Sequence, residues 1–157
     1  MKQAAGSRGR GSSRSRGRAL TFGLALLLTT SCGLKNAGTG IPPEVESVIG
    51  TVTDDIAQER YDKVYSESSE LWKHDASQEQ SAEVLKTLHS KLGKVESRAM
   101  NSASEQQNSG GPLKGHAFIV SYQTKFERGE AMETFTVVEE NGHWKLARYL
   151  VNSTSLR

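Results

Sequence analysis

Cysteine is almost missing from this chain: Cys32 is the only one in 157 residues. That excludes an internal disulfide and any zinc site built on paired thiols. Acidic residues are missing from residues 1–31, which carry Lys2, Arg8, Arg10, Arg14, Arg16 and Arg18. Setting that segment aside leaves 14 Lys and Arg against 18 Asp and Glu, a net charge of −4. The basic character is therefore confined to the leader, and the body offers no basic surface for nucleic acid. No apolar run reaches the roughly 20 residues that a membrane-spanning helix needs. The motifs G-x-x-x-x-G-K, G-x-G-x-x-G and G-x-S-x-G do not occur. Four histidines are present, His74, His89, His116 and His143, and none pair at metal-ligand spacing. The sequence thus nominates no catalytic residue, no cofactor site and no metal site.

What is there begins with the leader. Met1–Arg18 is basic and rich in Gly and Ser; Ala19–Thr30, "ALTFGLALLLTT", is uncharged and mostly apolar; Ser31 and Cys32 follow. This order matches a secretory signal peptide. The rival reading, an arginine- and glycine-rich RNA-binding tail, does not explain the apolar run that follows directly. "LLLTTSC" resembles the lipobox of bacterial lipoproteins, with Thr30 and Ser31 at the small-residue positions and Thr29 where that family prefers leucine. The resemblance implies cleavage before Cys32 and acyl chains on its thiol and new amino group. Several chains anchor firmly where one binds only marginally, since each buried methylene adds about 0.8 kcal/mol. A core or catalytic role suits Cys32 less, because it precedes a Gly- and Pro-bearing stretch with no base nearby. The organisation expected is a signal peptide over 1–31, a flexible tether over 32–43 and one α+β domain over 44–157. The resemblance to lipoproteins also implies the outer membrane, facing the periplasm, since Gly33 stands where an inner-membrane retention signal would place Asp.

Beyond the tether the pattern is first helical. Val45, Val48, Ile49, Val52 and Ile56 recur at helical spacing behind Pro43. Tyr61, Val64, Tyr65, Leu71 and Trp72 mark a second amphipathic segment. Leu85, Leu88 and Leu92 mark a third, opened by an S-x-x-Q capping box at Ser77 and Gln80 and stopped by Gly93. Then the period changes. "KVESRAMNSAS" reads as a strand, Ser104–Lys114 as a loop, and "HAFIVSYQTKF" as the clearest strand, with Phe118, Val120, Tyr122 and Phe126 on one face. "METFTVVEE" returns, Asn141–Gly142 signals a type I′ hairpin, and "HWKLARYLV" closes the sheet. In that last strand Trp144, Leu146 and Leu150 oppose Ala147, Tyr149 and Val151, so both faces are buried or a bulge shifts the phase. Three helical segments before four antiparallel strands predict α+β, with helices across one face of the sheet.

The segments "LHSKLGKVESR", "YQTKF" and "ETFTVVEENGHWKLARYLV" resemble the domain-of-unknown-function 4019 family of bacterial secreted domains, over roughly Glu44–Ser153. The resemblance implies a cystatin-like or nuclear-transport-factor-2-like cone, a curved four-stranded sheet wrapped around helices. That family carries no established catalytic motif, so the resemblance implies shape and not chemistry. Phe118, Tyr122, Phe126 and Trp144 are candidate pocket-lining residues, though aromatics in so small a domain usually fill a core. His74 and Asp75 are sequence neighbours and would not face each other on a helix; His89 sits at the edge of the apolar stripe, and His143 in a turn.

Three functions follow as expectations. One is a lipid-anchored envelope protein with a non-catalytic binding or assembly domain, its partners the membrane and an unidentified envelope protein or small ligand. The alternative is a small enzyme using the cavity of the cone, which fold analogy alone suggests. The third is an RNA binder working through the arginine-rich leader, which localisation would separate from the other two.

Overall fold

The computed structural model describes residues 40–111 and 113–156. The signal peptide, Cys32 and most of the tether lie outside the described residues. Helices lead and strands follow: α1 Pro43–Ala57, α2 Tyr61–Glu67, α3 Glu70–Asp75, α4 Gln78–Leu92, then β1 Val95–Asn108, β2 Gly115–Phe126, β3 Gly129–Glu140 and β4 His143–Asn152, closed by a 3-10 turn over Thr154–Leu156. The strands form one antiparallel sheet in the order β1-β2-β3-β4. This is the α+β class expected from the sequence, a four-stranded meander with helices against one face.

α1 starts with Pro43 in its first turn, where the missing N–H costs nothing, and Glu44 and Glu46 meet the positive end of the helix dipole. It buries Val45, Ile49 and Val52. Ile41, two residues upstream, is buried in the same core, so the packed body takes in the end of the tether. α4 carries the expected capping box: the Ser77 hydroxyl accepts from the Gln80 N–H, and the Gln80 side chain accepts from the Ser77 N–H. Gly93 ends that helix at φ +78, where a Cβ would run into Glu127.

Two elements differ from the pattern reading. The second amphipathic segment is two helices, because Ser68 turns extended and Ser69 caps α3 by accepting from the Trp72 N–H. The Ser69 N–H donates to Leu146 O at 2.9 Å, fixing this break against β4. Among the described residues there are therefore four α-helices and not three. β1 also continues to Asn108, through half of the stretch read as loop. Its outer half pairs backbone to backbone with β2, from Ser104 opposite Ile119 to Asn108 opposite Gly115. Nearly all its side chains there are exposed or polar, so no alternation marks it.

The ambiguity in β4 resolves as a bulge. Thr136 pairs with Arg148 and Val137 with Leu146, so Ala147 is the extra residue. Trp144 and Leu146 before the bulge, and Tyr149 and Val151 after it, then share the helix-facing side. Two more register shifts lie on β1, between Val95 and Ser97 and between Met100 and Ser102. The main core gathers Val45, Ile49, Val52, Val64 and Leu85 from the helices with Phe118, Val120, Phe135, Val137 and Leu146 from the sheet. Trp144 packs edge-on against Phe118, ring centroids 5.4 Å apart.

Candidate functional site

The helix-facing side of the sheet buries a carboxylate at its centre. Glu133 on β3 is 1% exposed, and its alternation partners along the strand are Phe135 and Val137, both buried. Three strands supply donors to it. From β1, Arg98 Nε donates to Glu133 Oε2 at 2.7 Å. From β2, the buried Thr124 hydroxyl donates to the same oxygen. From β4, the Tyr149 hydroxyl donates to Oε1 at 2.5 Å. The Arg98 guanidinium lies 5.8 Å from the Tyr122 ring and 5.9 Å from the Phe135 ring, so aromatic faces hold its charge from one side and the carboxylate holds it from another. Phe135 stacks on Tyr149 at 4.8 Å. Among the described residues no buried side-chain nitrogen or oxygen lacks a partner.

The Tyr149 phenol is held well above its ordinary value of 10.0, first by burial, then by the charge of Glu133 and by the hydrogen bond donated to it. Part of the side chain reaches the surface, but the hydroxyl is aimed at buried Glu133. Burial likewise raises the half-buried Tyr122, with the charge of Glu46 adding to it and that of Arg98 opposing. At neutral pH both phenols are donors and not bases. A raised folded-state value contributes stability that is complete below the unfolded-state value and is lost as pH rises through the folded-state one. Urea unfolding should therefore show stability falling above pH 10, with a shallower fall in Tyr149→Phe. Identical alkaline slopes for the two proteins would show that Tyr149 ionises as freely folded as unfolded.

Beside this network lies a cavity of about 40 Å³, lined by Ile56, Leu85, Leu88, His89, Arg98, Phe126, Glu133 and Tyr149. It is mostly apolar, with room for about two or three water molecules. At its edge the Tyr61 hydroxyl and His89 Nδ1 are 3.1 Å apart.

The four aromatic candidates separate. Phe126 lines this cavity. Phe118 is buried in the main core, and Tyr122 packs half-buried against that core beneath Arg98. Trp144 lines two outer grooves, one between α1, α2 and β4, the other beside the N-terminal end of α1. His74 is exposed beside Asp75, with 3.2 Å between Nδ1 and Oδ1, and His143 is exposed as the first residue of β4, just past the turn where the sequence placed it. His116 bridges two carboxylates, Glu105 at 2.6 Å and Glu139 at 3.3 Å, and packs edge-on to Trp144 at 4.8 Å. Among the described residues no cluster of His, Cys, Asp or Glu could hold a metal ion, and no helix is long and apolar enough to cross a membrane.

From the sequence no buried carboxylate is expected, and Glu133 is one. The signal was present: in "METFTVV" Glu133 stands two residues before Phe135 and four before Val137, on one strand face. Asp55 escaped in the same way. It is buried on α1 three residues after Val52, and it pairs with Arg60 and Lys63, the latter at 3.2 Å.

Residues 51–149 match the model of the family described as "Protein of unknown function (DUF4019)". The chain belongs to that family. The stretch shared with DUF4019 contains Arg98, Thr124, Glu133 and Tyr149, the last of these closing it, so the whole buried network lies inside the family's own span. No curated protein matches the chain. Among solved structures, a protein from Novosphingobium aromaticivorans assigned as a scytalone dehydratase is similar over 71% of this chain and 82% of its own, at 11% identity and a TM-score of 0.43.

Proposed function

We propose that the mature protein is held in the bacterial cell envelope by lipid on Cys32 and that its DUF4019 domain is a binding or assembly module. The observation that carries the second half is the saturation of Glu133. General acid-base catalysis needs a titratable group within hydrogen-bond reach of a substrate. Both oxygens of this carboxylate are already taken by Arg98, Thr124 and Tyr149, and the carboxylate is almost wholly out of contact with solvent. The adjoining cavity of about 40 Å³ is far below the roughly 300–1,000 Å³ of a small-molecule site. Such a network pins β1, β2, β3 and β4 to one another, and the working surface is then the outside of the domain. A domain tethered at the membrane also meets its partner at raised effective concentration.

For the anchor, mass spectrometry of protein extracted from membranes should find acylated Cys32 at the amino terminus. Cys32→Ala should move the protein out of the membrane fraction. Unchanged membrane association of that variant, or a mature chain that still carries Met1–Ser31, would defeat this part. For the module, photo-crosslinking residues distributed over the exposed surface should give adducts confined to one face in the native envelope. Native mass spectrometry of the membrane-derived protein should show no bound small molecule. A small molecule retained by the wild type and lost on Tyr149→Phe would instead make the interior the site and favour the small-enzyme reading.

A further inference from the structure

Between α3 and α4 an open groove of about 610 Å³ runs over the Tyr149 ring. One wall is a stripe of α4, where Gln80, Glu83, Val84, Thr87 and Leu88 follow one another at three- and four-residue steps. Trp72 and Asp75 of α3 form the other wall. The walls are fixed to each other, since the Trp72 indole N–H donates to the Ser81 hydroxyl at 2.9 Å and that hydroxyl donates to Ser77 O at 2.8 Å. Val84 is 58% exposed, and among the described residues only Leu150 is a more exposed large apolar side chain. A lone surface valine means little, but this one sits beside Leu88 and Trp72 above a groove of ligand-site size.

The charge of the groove is of one sign. Its charged lining residues are Asp75 and Glu83, and no lysine, arginine or histidine lines it. Arg148 approaches Asp75 at 3.8 Å from outside the groove and His74 lies beside it, while Glu83 has no ion-pair partner among the described residues. We infer that this groove takes a short segment of a partner protein in which lysine or arginine is interspersed among aliphatic or aromatic side chains. The apolar side chains would cover Val84, Leu88 and Trp72, and a cation would meet Glu83, with Asp75 adding to the negative field beyond its contact with Arg148. Gln80 and Thr87 in the α4 wall are neutral polar groups to which a peptide backbone can hydrogen-bond. Complementary charge at such a rim sets the encounter rate and the choice of partner. The inference rests on the binding-module reading and gives it an address.

The test uses the membrane-derived protein in phosphatidylcholine nanodiscs and two dye-labelled peptides, one alternating leucine with lysine, the other leucine with glutamate. Fluorescence anisotropy should show binding of the lysine peptide, at least about tenfold tighter than the glutamate peptide. Glu83→Lys and Val84→Lys should each weaken it about tenfold, while Leu150→Asp, on the opposite sheet face, should leave it within about twofold. Both groove positions are exposed, so circular dichroism should report unchanged folding. Equal affinity for the two peptides, or insensitivity to both groove substitutions, would overturn the inference. Loss of binding on Leu150→Asp alone would move the docking surface to the outer sheet face and leave the binding-module reading standing. That reading fails separately, on a small molecule bound in the interior.

Discussion

Replacing Glu133 with alanine should cost about 3–5 kcal/mol of folding stability, the range for breaking a buried ion pair from one side. The protein as a whole is stabilised by about 5–15 kcal/mol, so the variant should be marginal or unfolded at physiological temperature. Three effects add. Arg98, whose side chain is only 20% exposed, keeps its charge and loses its carboxylate. The Tyr149 and Thr124 hydroxyls lose their acceptor in the interior, and each unpaired buried donor costs about 1–3 kcal/mol. A void opens between β1 and β4 against the existing cavity. The rings of Tyr122 and Phe135 still face the guanidinium, which offsets part of the loss. Glu130→Ala, on the same strand but exposed, should change stability by no more than about 0.5 kcal/mol. The double variant Arg98→Met with Glu133→Leu should recover most of the loss, because an apolar pair of similar volume can replace a buried ion pair at little cost. Urea unfolding by circular dichroism measures all three. If Glu133→Ala and Glu130→Ala shifted the midpoint equally, the network would be decorative and Glu133 would be open to a chemical role.

How much of this was legible in the sequence depends on which force marks each element. α1 and α4 are written in apolar periodicity and in local capping chemistry, so both their faces and the start of α4 at Ser77 could be read directly. The break at Ser68–Ser69 was harder to read, because its local mark is a single cap from Ser69 to Trp72 inside a continuous apolar stripe, and a long-range hydrogen bond from Ser69 to β4 fixes it. The outer half of β1 is held by backbone pairing with β2, which leaves no signature in polar side chains that are exposed on both faces. In β4 the alternation did break at the bulge, and the residues showed the conflict without showing its position. Glu133 is the instructive case. Its strand phase was readable, yet a carboxylate is so seldom buried that composition argues against placing it inside. Only the three donors brought from β1, β2 and β4 make that burial tolerable, and they lie 35, 9 and 16 residues away in sequence.

Phe135→Ala should be as damaging, about 3–5 kcal/mol, for a different reason. Phe135 is the largest fully buried side chain, with no exposed surface. It stands at the centre of the helix-facing side, opposite Val120 on β2 and Tyr149 on β4. Tyr149 stacks on it at 4.8 Å and Tyr122 meets it edge-on at 5.9 Å, so the ring sets the position of both phenols. Truncation removes the apolar area and leaves a cavity that Tyr149 cannot close without breaking its bond to Glu133. Phe135→Leu keeps most of the volume and should cost clearly less, about 1–1.5 kcal/mol. The coupling gives a sharper check. If the ring holds the phenol on its carboxylate, Phe135→Ala and Tyr149→Phe damage the same unit, and their double variant should lose less than the two single losses combined, by about 0.5–3 kcal/mol. Strict additivity would show that the aromatic stack and the polar network are independent, and that Glu133 holds Tyr149 in place without help from the ring beneath it.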